Sequence, residues 1–246
     1  MFAKNHALLA ILLSLLGGAA IAGPDIDVVY GDDIAHRGEL AGELATRWSQ
    51  SARSSELGGR SIWQAQGELA YGVSDFFNVG IKLPATRSDG RWRGNSAYLE
   101  AKYVALHADQ GFYWGAEVEA GTVKPQGEER SFALEIFPIL GYRAGRYHLT
   151  ANPSLEFSSE GEDRGWEFSP KLKLAYQLSK GSAVGLEYHV DAGKLTNLAP
   201  RAKRTETAYL TFESQFAGQK VSLALGHGTT NKSDRWAIRI GVEFDD

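Results

Sequence analysis

The strongest constraint on this chain is an alternation of apolar and charged residues in the stretch from Arg235 to Phe244. A period of two residues is typical of a β-strand with one face in an apolar environment and the other in a polar one. The apolar face consists of Trp236, Ile238, Ile240, Val242 and Phe244. The opposite face carries Arg235, Arg239 and Glu243. A strand of this kind fits a β-sandwich or a transmembrane β-barrel, and the rest of the chain must decide between them.

Similar alternation recurs along the chain from Glu39 onward, in twelve segments. Their connections alternate in length. Short turns lie at 73–76, 107–110, 143–146, 179–182 and 217–220, and longer polar loops lie at 51–61, 86–96, 122–130, 158–165, 192–204 and 228–234. Short turns at one end and long loops at the other are typical of outer-membrane barrels. The sequence therefore predicts an all-β transmembrane antiparallel barrel of about 12 strands, in an up-and-down meander.

Aromatic residues cluster near the ends of these segments, as expected where a barrel wall meets the two membrane interfaces. We expect one girdle at the loop ends, formed by Trp48, Trp63, Trp166 and Trp236. A second is expected at the turn ends, formed by Tyr71, Phe77, Trp114, Tyr142, Tyr147, Tyr176, Phe216 and Phe244. Together with the segments, they favour localisation in the outer membrane of a Gram-negative bacterium.

The front of the chain predicts export. Residues 1–22 have a lysine, a short apolar run and a small-residue cleavage site, which is typical of a signal peptide. Residues 23–38 show no period and contain several carboxylates, so we expect an acidic, solvated N-terminal periplasmic segment. The outer-membrane barrel is predicted to span residues 39–246. The sequence does not tell whether the acidic segment enters the barrel.

Composition excludes several function classes. Because the chain has no cysteine, it has neither disulfides nor thiolate metal sites. A net charge of −4 argues against a nucleic-acid partner. We predict no cofactor and no metal.

The inward face of the predicted barrel carries both signs of charge, which disfavours a pore built for anions. The candidate pore-lining residues are Glu43, Arg47, Glu68, Lys82, Glu100, Lys102, Glu117, Glu119, Glu135, Glu156, Lys171, Lys173, Glu187, Arg235 and Arg239. Neighbouring strands bring opposite charges together. We expect Lys102 to reach Glu117 or Glu119 and Lys171 or Lys173 to reach Glu187. Across the closing seam, Arg235, Arg239 and Glu243 are expected to pair with Glu43, Arg47 and Glu39.

Three functions fit this pattern. The first is a passive channel or uptake protein for small neutral or aromatic solutes, and the second is a closed structural or binding barrel. The third is a lipid-modifying acyl hydrolase, in which His227 would serve as base to the hydroxyl of Thr229. No acid partner is evident for that pair, so we predict a protein that is not an enzyme.

Basic residues in the predicted loops suit the phosphates of lipopolysaccharide. They are Arg53, Arg60, Arg87, Arg91, Arg93, Lys194, Arg201, Lys203 and Arg204. The expected partners are therefore outer-membrane lipid and lipopolysaccharide, the barrel assembly machinery and a small-molecule solute.

Seven short runs give a family resemblance that extends over nearly the whole mature chain. They are Gly72-Val73-Ser74-Asp75, Glu100-Ala101-Lys102-Tyr103, Pro138-Ile139-Leu140-Gly141, Asn152-Pro153-Ser154-Leu155, Gly165-Trp166-Glu167-Phe168, Gly185-Leu186-Glu187-Tyr188 and Ser233-Asp234-Arg235-Trp236. The chain resembles small proteobacterial outer-membrane barrels assigned to transport in the phenol meta-cleavage pathway. That resemblance implies the passage of small compounds, aromatic ones among them, and brings no site residues with it.

Overall fold

A computed structural model describes residues 26, 28–52, 59–88, 90–94, 96–106, 109–123, 130–160 and 164–245. The predicted signal peptide and Arg53 lie outside these residues. The strands are β1 (Leu40–Gln50), β2 (Ser61–Ser74), β3 (Phe77–Ser88), β4 (Arg91–Arg93), β5 (Ala97–Leu106), β6 (Gly111–Val123), β7 (Ser131–Ala144), β8 (Tyr147–Ser158), β9 (Gly165–Ser179), β10 (Ser182–Asp191), β11 (Thr205–Phe216), β12 (Gln219–Gly228) and β13 (Trp236–Asp245). One 3₁₀ helix spans Arg201–Lys203. Among the described residues, no helix is both long and apolar enough to cross a membrane.

All of the strands except β4 form a closed antiparallel barrel, which confirms the predicted fold of about 12 strands. Each strand pairs with the next in sequence, and β1 pairs with β13 to close the sheet. The short β4 pairs only with the loop end of β3 and extends a hairpin beyond the wall. Closure removes the unpaired sheet edge, which a bilayer would not tolerate.

The seam between β1 and β13 runs without a bulge from the Ala41 and Asp245 pair to the Gln50 and Trp236 pair. Near the turn end, the ring of Phe244 lies directly over Gly42, where an added Cβ would come within 2.2 Å of the Phe244 Cε2 atom. Only glycine leaves room for the ring. The last strand therefore closes the barrel by both its hydrogen bonds and this aromatic contact.

The two ends of the barrel differ as the sequence predicts. One end, called the turn end here, has tight connections such as Ala217–Gly218, whose φ values of 53° and 84° are both positive, as in a type I′ turn. The other, called the loop end, has the longer connections. Both the beginning of β1 and the end of β13 lie at the turn end.

The outer surface of the barrel is apolar. Side chains that a soluble protein would bury are exposed along the strand centres, including Leu99 at 69%, Leu186 at 61% and Leu210 at 55%. Exposed Trp63 and Trp236 lie near the loop end, and exposed Tyr142, Tyr147 and Phe216 lie near the turn end, as the two predicted girdles require. This surface needs a hydrocarbon environment, so the chain is a transmembrane β-barrel.

This assignment predicts a large penalty for a charge on the outer surface. Leu223 lies in the middle of β12 between Phe212 and Ile240 and is 45% exposed. Leu223→Arg should lower the free energy of unfolding by about 2–4 kcal/mol in lipid vesicles, because arginine at the bilayer midplane loses its hydration. Urea titration of the vesicle-inserted protein measures this loss.

Leu198→Arg is the matched control, since Leu198 is 46% exposed in the loop between β10 and β11. It should change the free energy of unfolding very little. Equal losses from the two variants would contradict the membrane-facing assignment of β12.

Candidate functional site: the charged lumen

The interior of the barrel, called the lumen here, holds the candidate functional site. It contains a cavity of about 1080 Å³ that reaches from the turn end to the middle of the wall. Seven of the predicted pore-lining residues lie on this cavity: Glu43, Glu68, Lys102, Glu117, Lys173, Glu187 and Arg239. The strand alternation that exposes leucine outside therefore turns these charges inward.

The other predicted lining residues lie elsewhere. Lys82, Glu100, Glu119 and Lys171 are buried among inward side chains rather than on the cavity surface. Arg47, Glu135 and Glu156 are half-buried. Arg235 precedes β13 at the loop end and is exposed, so it does not line the described cavity.

Residues 26 and 28–38, the described part of the acidic segment, are called the N-terminal segment here, and they differ from the solvated tail that we expected. The backbone N–H of Tyr30 donates to Asn152 Oδ1 at 2.9 Å, and Asn152 Nδ2 donates to the Tyr30 carbonyl at 3.1 Å. The Ile26 N–H donates to Gln66 Oε1 at 3.2 Å. Because Gln66 and Asn152 point inward from β2 and β8, the segment runs inside the lumen.

The side chain of Tyr30 joins the N-terminal segment to the charged wall. Its hydroxyl donates to Glu119 Oε1 at 2.9 Å and accepts from Lys82 Nζ at 2.7 Å. The ring packs on Phe137, with the centroids 4.7 Å apart. Burial raises the pKa of the Tyr30 phenol well above its usual value, so the hydroxyl keeps the proton that it donates.

The carboxylates of the N-terminal segment bind cations of the wall. Asp32 makes two hydrogen bonds with the guanidinium of Arg143, at 2.7 and 2.6 Å. Asp33 lies 3.9 Å from Lys102 Nζ, and this ammonium holds the pKa of the Asp33 carboxyl below its usual range. Bidentate pairing with arginine fixes geometry as well as charge, so Asp32 sets the position of the segment.

Glu187 is the centre of a second charge cluster, on the far side of the lumen. Its carboxylate accepts from Arg239 Nη2 at 2.7 Å and lies 3.3 Å from Lys173 Nζ and 3.2 Å from His189 Nε2. Lys173 also bonds Glu213. The predicted pairing of Lys173 with Glu187 is therefore confirmed, and so is that of Lys102 with Glu117, at 3.8 Å.

The pairing predicted across the seam is wrong. The register places Arg47 opposite Arg239 and Glu43 opposite Glu243, so like charges face each other. Each of three charges finds its partner elsewhere: Arg47 binds Asp234 at 2.6 Å, Arg239 reaches across the lumen to Glu187, and Glu243 binds Lys220 at 2.9 Å. Arg239 thus bonds a residue of β10, which is not a neighbour of β13 in the sheet.

Three carboxylates of strands β5 and β6 lie close together inside the lumen. Oxygen atoms of Glu100, Glu117 and Glu119 all lie within 4.8 Å of one another. Two like charges at such a separation repel by about 3–4 kcal/mol at an effective dielectric constant of 20. Lys82 bonds Glu119, and Lys102 lies near Glu117, so the lysines offset only part of this repulsion.

Several lumen residues escaped the sequence analysis. Lys220 lies in a region predicted to be a turn, and Tyr113 was hidden by the stronger alternation of its outward neighbours. The aperiodic sequence around Tyr30 and Asp32 gave no sign that it lies inside the barrel. Two features of the sequence could have indicated that further groups lie inside the lumen: the excess of inward carboxylates and the inward position of Phe137.

Sequence comparisons give no family: no family model matches the chain, and no curated protein matches it. Among solved structures, an outer-membrane channel from Pseudomonas putida F1 is 13% identical, with a TM-score of 0.66, and the alignment covers 90% of this chain and 100% of that one. The KdgM porin is 9% identical, with a TM-score of 0.58 and coverage of 83% and 98%. The NanC porin is 11% identical, with a TM-score of 0.54 and the same coverage. At these identities, the likeness establishes the barrel fold.

The Glu187 cluster makes a prediction about stability. Glu187→Gln removes the carboxylate that bonds the buried guanidinium of Arg239, so the free energy of unfolding should fall by about 3–5 kcal/mol, as for other broken buried ion pairs. Urea unfolding in vesicles measures the change. Glu213→Gln is the control, because the Glu213 side chain is 25% exposed, and it should cost clearly less. Equal losses would contradict the central place of Glu187.

Proposed function

We propose that this protein is a passive channel of the Gram-negative outer membrane for small solutes. The cavity between the barrel wall and the N-terminal segment supports this most directly, because it admits water from the turn end to the middle of the wall. The likeness to porin barrels agrees with it. The apolar outer surface and its aromatic girdles support the location.

Charge in the cavity favours neutral or weakly charged solutes. Its lining holds ten carboxylates against six lysines and arginines, and cations such as Lys173 and Arg239 are paired with carboxylates. A pore for anions would present a ring or track of free cations. We therefore infer weak cation preference and poor passage of phosphates and acidic sugars.

Small aromatic compounds are the solute class that we propose, in line with the resemblance to phenol-pathway transporters. Tyr113, Phe137 and Tyr209 are buried inside the barrel, and Tyr30 lies on the cavity. The ring of Tyr30 offers a surface on which a phenol ring can stack while its hydroxyl meets polar groups.

A closed structural barrel is the second candidate, because the N-terminal segment occupies part of the lumen. Under this alternative, the contacts of Tyr30, Asp32 and Asp33 would serve only to fill the barrel. In a channel, the segment would instead form a constriction with a narrow path beside it.

We propose no enzymatic activity. Thr229 Oγ1 donates to Glu206 Oε2 at 3.2 Å, and His227 packs edge-on against Trp236, with the ring centroids 4.7 Å apart. A hydrolase needs the histidine within hydrogen-bond reach of the hydroxyl that attacks.

We propose three partners besides the solute: outer-membrane lipid, lipopolysaccharide at the basic loops and the barrel assembly machinery.

Single-channel recording in planar bilayers tests the channel. Wild-type protein should give small, slightly cation-selective currents. Tyr30→Ala combined with Asp32→Asn and Asp33→Asn removes the side-chain bonds of the N-terminal segment and should raise the conductance severalfold, because the segment then leaves the narrow part of the lumen. Arg37→Gln, a change at an exposed position in the same segment, should leave the conductance unchanged.

Absence of current from both wild type and the triple variant would favour the closed barrel. Liposome swelling then addresses the solute: phenol and catechol should enter faster than glucose or galacturonate. Equal rates for all four compounds would contradict the proposed aromatic preference.

A further inference from the structure

The three convergent carboxylates of Glu100, Glu117 and Glu119, called the carboxylate trio here, are almost completely buried. Their exposed fractions are 7%, 2% and 0%. Glu100 lies on β5 directly opposite Glu119 on β6, and Glu117 lies two residues before Glu119 on the same face. The inward pleat of two paired strands therefore brings the three acidic groups to one spot.

Each carboxylate of the trio has an oxygen that makes no hydrogen bond. Within the described part of the chain, Glu100 Oε2, Glu117 Oε2 and Glu119 Oε2 are all buried and unpartnered. Buried carboxylate oxygens almost always accept hydrogen bonds or bind cations. Unpartnered oxygens on three neighbouring carboxylates favour a positively charged ligand.

The neighbouring lysines do not fill this role. Lys82 bonds Glu119 through Oε1, which also accepts from Tyr30, so the free oxygen of Glu119 is a different atom. Lys102 Nζ lies 3.8 Å from Glu117 Oε2 and 3.9 Å from Asp33 Oδ1, beyond hydrogen-bond distance of both. When all five groups are ionised, the three carboxylates and two ammonium groups sum to one net negative charge.

Glu100 has the least compensation of the three. No described lysine or arginine forms a salt bridge with it. Its carboxyl lies over Gly80 of β3, where an added Cβ would come within 2.1 Å of Glu100 Oε1. The missing side chain at Gly80 thus provides the space into which the Glu100 carboxyl turns.

We propose that the carboxylate trio is a binding site for a divalent cation, with Ca²⁺ as the preferred ion. Ca²⁺ takes oxygen ligands at 2.3–2.6 Å and accepts irregular, partly bidentate carboxylate sets. Ligands on opposite sides of one ion lie about 5 Å apart, a span that the trio matches within its 4.8 Å. Mg²⁺ needs shorter, octahedral contacts and keeps its waters, so it suits this site less well.

An ion can reach the site from the cavity, because Glu117 and Lys102 belong to its lining. Bound Ca²⁺ would neutralise the repulsion within the trio, while Lys102 turns to Asp33 of the N-terminal segment. The cation would thus strengthen both the wall at β5 and β6 and the attachment of the segment, independently of which solute the channel passes.

Calorimetric titration with CaCl₂ tests the site, using the full mature protein folded in non-ionic detergent and freed of metal with a chelator. Wild type should bind one Ca²⁺ per chain, and its melting temperature should rise with Ca²⁺. Glu100→Gln should weaken Ca²⁺ binding about tenfold or more, because it removes one charged ligand. Without Ca²⁺ the same variant should melt no lower than wild type, since a source of repulsion is gone.

Glu213→Gln is the matched control, because it removes an inward carboxylate from another part of the lumen and should leave Ca²⁺ affinity unchanged. Absence of saturable binding to wild type at millimolar CaCl₂ would overturn the proposal. So would wild-type affinity in Glu100→Gln. An infrared band of a protonated carboxyl that vanishes in Glu100→Gln and persists in excess CaCl₂ would also overturn it, by identifying a trapped proton instead.

Discussion

The hydrocarbon outside the barrel is the constraint on which the rest of the structure depends. Every strand must present apolar side chains to lipid, so the alternation of the pleat sends the polar and ionisable residues of the strand centres into a narrow interior. Lys82, Glu119 and Glu187 are buried there at 0–3% exposure. Burial of a charge is tolerated only with a partner, and the dense ionic network of the lumen follows from this rule.

That network explains the position of the N-terminal segment. Arg143 of β7 faces the acidic N-terminal segment, and its guanidinium donates two hydrogen bonds to the carboxylate of Asp32. Asn152 and Gln66 bond backbone groups of the segment, whose described residues belong to no strand. The N-terminal segment and the wall thus provide each other's hydrogen-bond and charge partners, and together they shape the cavity. The segment therefore narrows the lumen.

The sequence predicted the fold well because closure of a barrel depends on local, periodic signals. The alternation in Arg235–Phe244, the tight turn at Ala217–Gly218 and the outward tryptophans each follow from one stretch of chain. Pairs in register on neighbouring strands, such as Lys173 with Glu187, were predictable for the same reason.

The lumen was predicted less well because its contacts depend on the curvature of the wall. Arg239 crosses to Glu187, over two intervening strands, while its neighbour on β1 is Arg47. The alternation within one strand does not predict contacts between strands that are not neighbours in the sheet. Alternation also does not predict the position of Tyr30. The sequence around Tyr30 has no period and was consistent with a solvated tail, and its position in the lumen depends on residues far along the chain, such as Asn152.

The central claim, that the N-terminal segment lies within the lumen of a membrane-embedded barrel, is tested most directly by a distance measurement. The chain has no cysteine, so spin labels can be attached at Val28→Cys and at Leu186→Cys, which lies on the outer surface of β10. Double electron–electron resonance on the vesicle-inserted protein should give a narrow distribution of distances between the two labels, shorter than the barrel diameter. A broad distribution that extends well beyond that diameter would contradict the account.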